Sequence, residues 1–249
     1  MEKFQKSTVM IQFVMAVCGG FLGAYALFSR QLVFGSSQTA NVIELVSAVC
    51  GRNLPEFLIH LGALLIYIAA IVLATAMGER TSFDIRYLSL GINAAVIFAC
   101  AFIPLDMDPV MALYPIFFAT AFQWCSFKGV GPYASSTIFS TNNIKQTFSS
   151  LTKYFLEKDP EARKPHAEKA RIFGGTLLCF NAAAAAEYLL LQVFSLYSIW
   201  FALIPLCLCL FFLSAERRGA GAFQPSARET LSPRQKAGIR LELPKSRLS

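Results

Sequence analysis

The chain has 249 residues, of which 55% are apolar and only 15% charged, with a formal charge of +7. An ordinary soluble domain is about 25% charged, so this composition argues against one. Two histidines and seven scattered cysteines, with no C-x-x-C pair, leave no metal-binding cluster or disulfide framework to read.

Taken in order, the apolar residues fall in six blocks, at 8–28, 57–77, 87–105, 109–127, 172–192 and 194–214. Each approaches or exceeds the roughly 18–20 residues needed to cross about 30 Å of hydrocarbon as a helix. Lipid cannot satisfy free backbone N–H and C=O groups, so blocks of this length are expected to be helical. The expected fold is all-α, a polytopic transmembrane helical bundle of about six spans. Lys3 and Lys6 before the first block, and Ala24-Tyr25-Ala26 near its end, also resemble a signal peptide. The block is long for that purpose and has a counterpart later in the chain, so it is read as a span.

Between the first two blocks, residues 36–50 read SSQTANVIELVSAVC; after the fourth, residues 136–155 read STIFSTNNIKQTFSSLTKYF. Each opens on small polar residues and becomes a short amphipathic pattern. Val42, Leu45, Val46 and Val49 form one stripe; Ile144, Phe148, Leu151 and Phe155 form the other. From Asn41 to Cys50 a helix is only about 15 Å long, too short to span. Both stretches are expected to be half-helices. Residues 157–169 mix both charges and read as a solvated loop, and residues 215–249 read as a disordered basic cytoplasmic tail.

The basic residues set an orientation. With the N-terminus in the cytoplasm, Lys3, Lys6, Arg80, Arg86, the 128–171 segment and the tail all lie inside. Only Arg30 and Arg52 of the 22 Lys and Arg are then outside, while Asp106 and Asp108 occupy an outer turn. The positive charge is therefore a topology signal, and nucleic acid is not an expected partner. The expected location is a cytoplasmic membrane with both termini inside.

The two half-helix stretches match each other. Thr39-x-Asn41-x-x-Glu44 and Thr141-x-Asn143-x-x-Gln146 align at an offset of 102 residues, which also lays the first block on the fourth. Gly62-Ala-Leu-Leu-Ile-Tyr67 resembles Gly175-Thr-Leu-Leu-Cys-Phe180 at an offset of 113. The transmembrane domain, 1–214, thus reads as two repeats, about 8–105 and 109–214. Three spans per repeat is odd, so the repeats would have inverted topology, a plan shared by many secondary transporters.

Gly20-Phe-Leu-Gly-Ala24, Gln38-Thr-Ala-Asn41, Gln123 and Ser140-Thr-Asn-Asn143 resemble the YoaK-like family of bacterial integral membrane proteins. The resemblance implies a bacterial cytoplasmic-membrane protein and brings no activity or substrate. In that pattern an acidic residue often stands where this chain has Gly23, and Asn where it has Trp124. Glycine is usual where it has Ala40 and Asn142.

Ionisable groups inside a membrane are costly and mark function by default. Here they are Glu44, Lys145, His60 and Glu187, the last read as reaching headgroup water near its block's end. The candidate substrate path is Gln38, Thr39, Asn41, Glu44, Gln123, Thr141, Asn143 and Gln146, with Gln12 and Asn181 as further lining. Asn41 and Asn143 are expected to be helix N-caps, aiming two positive helix ends at one cavity. The competing reading is that they cap helices and do nothing more. No G-x-S-x-G, H-E-x-x-H, Walker loop or dinucleotide fingerprint occurs, so neither enzyme nor cofactor is expected. The expected function is a secondary transporter or permease of a small solute, the alternative a membrane scaffold, sensor or assembly partner. The bilayer is the expected partner, and a second copy of the chain is left open.

Overall fold

The computed structural model describes residues 2–30 and 38–222, with side chains described for 6–30 and 38–218. Residues 36–37 and most of the expected tail lie outside the described residues. The elements among the described residues are helices: α1 (Glu2–Ser29), α2 (Gln38–Cys50), α3 (Leu54–Arg80), α4 (Ile85–Cys100), α5 (Pro109–Ala112), α6 (Tyr114–Ser126), α7 (Thr141–Leu156), α8 (Pro160–Phe194), a 3-10 segment (Ser195–Ala202) and α9 (Leu203–Ala222). Residues up to Phe212 form one compact unit.

Local chemistry sets the helix starts. The side chains of Asn53, Asp84, Asp108 and Asp159 accept from backbone N–H groups one turn ahead, and prolines occupy the first turns of α3, α5 and α8. The expected caps Asn41 and Asn143 are not among them. Each lies inside the first turn of its helix, buried, and α7 begins instead at Ser140 with no side-chain cap bond. The charged run read as a loop is also helical from Pro160 on, because Asp159 caps it and Lys164 pairs with Glu161 at 2.6 Å. The fourth block is broken at Leu113 into α5 and α6, and the sixth opens as a 3-10 turn after Ser195, whose φ is 51°.

Three helical stretches, Lys6–Ser29, Leu54–Arg80 and Pro160–Arg218, are long and apolar enough to cross a membrane; Ile85–Cys100 is a shorter apolar helix. Packing within the unit is inverted relative to a soluble protein. α3 buries His60, Ala63, Tyr67, Ala70 and Ala74, and turns Leu58, Leu65, Val72 and Leu73 outward. α7 buries Asn143, Thr147 and Ser150 and turns Ile144, Phe148 and Phe155 outward. Hiding such large side chains from water is worth about 1.5–3 kcal/mol each, so this arrangement suits surrounding hydrocarbon. These helices indicate membrane insertion.

α1 and α6 are central. Along α1, Phe13 lies against Gly175, Gly20 against Phe180 and Ala183, and Phe28 against Tyr188, so α1 and α8 run parallel. The end of α1 is fastened to the end of α4: Tyr25 donates to the Cys100 carbonyl, and Arg30 donates to those of Ile103 and Pro104 at 2.8 and 2.7 Å. Arg30 is thereby buried. On the other side α6 packs on α3 and α4, while α2 and α7 form hairpins with α3 and α8. The buried positions 60, 63, 67, 70 and 74 of α3 recur 113 residues later on α8, at Phe173, Thr176, Phe180, Ala183 and Glu187.

Candidate functional site

α6 ends at Ser126, and the chain then turns tightly between Val130 and Tyr133, which exchange backbone hydrogen bonds of 3.0 and 2.9 Å. Gly129 enters that turn at a φ of 109°, a conformation L side chains rarely adopt. From Ser135 to Ile138 the backbone is non-helical and fully inside the unit. Buried backbone outside a helix needs partners for its polar groups. They come from the surrounding helices. Gln12 of α1 donates to the Ser135 carbonyl at 2.7 Å and its hydroxyl at 3.0 Å. Gln123 of α6 donates to the Thr137 hydroxyl at 3.0 Å and the Met15 carbonyl at 3.2 Å. Asn143 of α7 accepts from the Ser136 N–H at 3.1 Å and donates to the carbonyls of Ser136 and Phe139 at 2.7 and 3.0 Å. Thr176 of α8 reaches the Ser135 hydroxyl at 3.5 Å. α1 comes close because residue 19 is glycine, where a methyl group would strike the Thr137 carbonyl.

This cluster is buried, polar and built of carboxamides and hydroxyls. The Gln123 carbonyl oxygen within it is buried and has no hydrogen-bond partner among the described residues. An acceptor left so costs about 1–3 kcal/mol, so the position is ready to receive an N–H or O–H.

The candidates from the sequence separate. Gln123 and Asn143 belong to the cluster just described. Asn41 sits elsewhere: it donates to the His60 carbonyl at 3.0 Å and to Gln38 at 2.8 Å, and its oxygen lies 2.8 Å from His60 Nδ1, tying α2 to α3. Thr39, Glu44 and Thr141 are exposed or half-exposed, and Gln146 is half-buried. Cavities of about 100 and 260 Å³ are lined by Ala74, Thr75 and Lys128, and by Leu151, Tyr154 and Arg171, with none of these candidates among their walls. Gln12 joins the cluster as the expected lining, together with Ser135, Thr137 and Thr176, which the sequence motifs do not mark. The signal for them is the run Ser135-Ser136-Thr137 just before a half-helix. Glu187, expected to reach water, is fully buried and accepts from Ser198 at 2.6 Å.

Residues 11–212 match the model of a family described as a protein of unknown function, DUF1275. The chain belongs to this family. The match spans every residue of the DUF1275 cluster, from Gln12 to Thr176, and Glu187 besides. No curated protein and no solved structure matches the chain.

Proposed function

We propose that this DUF1275 chain is a six-span protein of a bacterial cytoplasmic membrane, as the YoaK-like resemblance implies, and that it moves a small polar solute as a secondary transporter. The observation that carries this reading is the buried non-helical segment 135–138, held by Gln12, Gln123 and Asn143 and leading into the half-helix α7. In transporters of inverted-repeat design, unwound backbone followed by a half-helix lies where solute binds. The carboxamides and the free acceptor of Gln123 suit a neutral solute that carries N–H or O–H donors.

The six spans are α1, α3, α4, α5 with α6, α8, and the 3-10 segment with α9. Parallel α1 and α8 fit this threading, which carries both outward from the cytoplasm. The helix pairs support two repeats: exchanging α1 with α6, α2 with α7 and α3 with α8 turns the α1–α8 contact into α6–α3 and the α2–α3 hairpin into α7–α8. Gly62 under Tyr114 and Gly175 under Phe13 are one such exchanged pair. The chain is read as non-catalytic and free of cofactors. A scaffold reading is favoured by one feature, the outward-facing rings of Phe98, Phe102 and Tyr197 around Trp200.

The test is flux. Purified protein in proteoliposomes, challenged with a panel of amides, polyols, nucleobases and zwitterionic amino acids, is expected to give solute-evoked counterflow for at least one class. Counterflow for none of them, with the protein folded and inserted, overturns the transport reading and leaves the scaffold.

A further inference from the structure

Among the described residues, Glu187 is a buried carboxyl that the solute cluster does not use. Glu187 lies on the buried stripe of α8, two turns before the helix breaks at Phe194. Its relative exposure is 0%; Oε1 accepts from the Ser198 hydroxyl at 2.6 Å, and Oε2 has no hydrogen-bond partner among the described residues. Ser198 is itself fully buried, on the 3-10 segment that follows the positive-φ residue Ser195. A carboxyl group kept inside a membrane bundle is costly and is a functional group by default.

The surroundings decide what it binds. α1 and the 3-10 segment pack on this end of α8. The titratable groups there are Cys18 and Tyr25 of α1 and Arg30 just past its end. Tyr25 donates to the Cys100 carbonyl; Arg30 donates through both amino groups to the carbonyls of Ile103 and Pro104, while its Nε–H has no partner among the described residues. On the 3-10 segment the titratable group is Tyr197, outward-facing, edge-on to Phe102 and tilted against Trp200; on α8 itself Tyr188 is exposed against Phe28. α7, which carries the exposed Lys145 and Lys153, packs on the other half of α8, where Gly174 meets Thr147, about 20 Å along the axis from Glu187. Among the described residues, then, no cation is paired with Glu187. A hard metal ion would need about six oxygen ligands, and this site offers a carboxylate and one hydroxyl. A proton needs only the free Oε2.

We propose that Glu187, oriented by Ser198, is a proton-binding site that couples solute movement in this DUF1275 chain to the proton gradient. Oε2 gains a proton from one side of the membrane, forming an O–H bond, and releases it to the other; the Ser198 hydroxyl donates to Oε1 throughout. The break at Ser195 is where the 3-10 segment can shift against α8 and open Oε2 to water. The proposal rests on the transport reading, but its test needs no solute.

The probe is dicyclohexylcarbodiimide, which reacts with protonated carboxyls in apolar surroundings. The acid's O–H adds across one C=N bond, so the whole reagent is retained and nothing leaves. Full-length protein in nanodiscs is treated from about pH 5 to 9, a range in which buried glutamates titrate. Intact-mass and peptide analysis should find the adduct on Glu187 and not on exposed Glu44, with the rate falling about tenfold or more across that range. Glu187→Gln should abolish the adduct and remove the corresponding step in the pH dependence of melting. Ser198→Ala should keep the adduct and move the pH at which it fades. No adduct at Glu187 at any pH, or a rate that does not change with pH, overturns the proposal even if Glu187→Gln fails to fold. Absent solute flux with labelling as expected would overturn the transport reading and the coupling with it, and leave Glu187 as a proton-binding site only.

Discussion

Asn143 is the residue whose replacement separates a helix cap from a structural and binding role. It is fully buried, and its carboxamide pairs with three backbone groups of the incoming segment: the Ser136 N–H, the Ser136 carbonyl and the Phe139 carbonyl. Asn143→Ala strands all three inside the unit. Each buried unpaired group costs about 1–3 kcal/mol, and the losses are not additive because neighbouring groups relax together. A loss of about 3 kcal/mol is expected on that basis. Asn143→Ser should lose nearly as much, since a hydroxyl cannot reach both carbonyls and accept from the amide at once. Were Asn143 a cap, Ala would cost about 1 kcal/mol and Ser nearly nothing. Unfolding of the variants in one detergent, with hydrogen exchange followed across residues 135–139, reads both quantities. A silent Asn143→Ser variant with unchanged protection of that segment would refute this arrangement.

Gly19→Ala drives a methyl group into the Thr137 carbonyl, whereas a Cβ on Gly91 meets nothing within 4 Å. The first should cost about 1–3 kcal/mol of unfolding free energy, and Gly91→Ala should be neutral or slightly stabilising. Asn41→Ala should loosen the α2–α3 hairpin, because it removes both bonds to His60; faster hydrogen exchange in residues 38–50, with α7 unaffected, is the expected readout. Single cysteines replacing Asp106 and Arg163 should react with an impermeant maleimide from opposite sides of the membrane; labelling from one side would break the six-span threading.

Much of the fold is legible in the sequence because apolar block length is a direct demand of the bilayer. The repeat motif also draws attention to Asn41 and Asn143, both of which are buried. Their role is not legible, because an Asn in a first helical turn can bond its own helix or a neighbouring stretch of chain. Which one it does depends on where residues 135–139 run. The run of charges after Asp159 shows that charge density reports hydration and says little about conformation; the cap at Asp159 and the Glu161–Lys164 pair are the better signals. Distance from the end of an apolar block misplaces Glu187. Its spacing from Phe173, Thr176, Phe180 and Ala183, alternating three and four residues, already puts it on their buried face.

The central claim is that segment 135–138 is a passage for solute and more than a packed loop. It is tested most directly by water access to Thr137, which is 0% exposed in this structure. In a background with the native cysteines replaced, Thr137→Cys in proteoliposomes should react with a small charged methanethiosulfonate, slowly and from at least one side. A passage must open to water in some conformation, however briefly. Reaction from neither side, while a cysteine at exposed Thr141 reacts freely, would contradict the account.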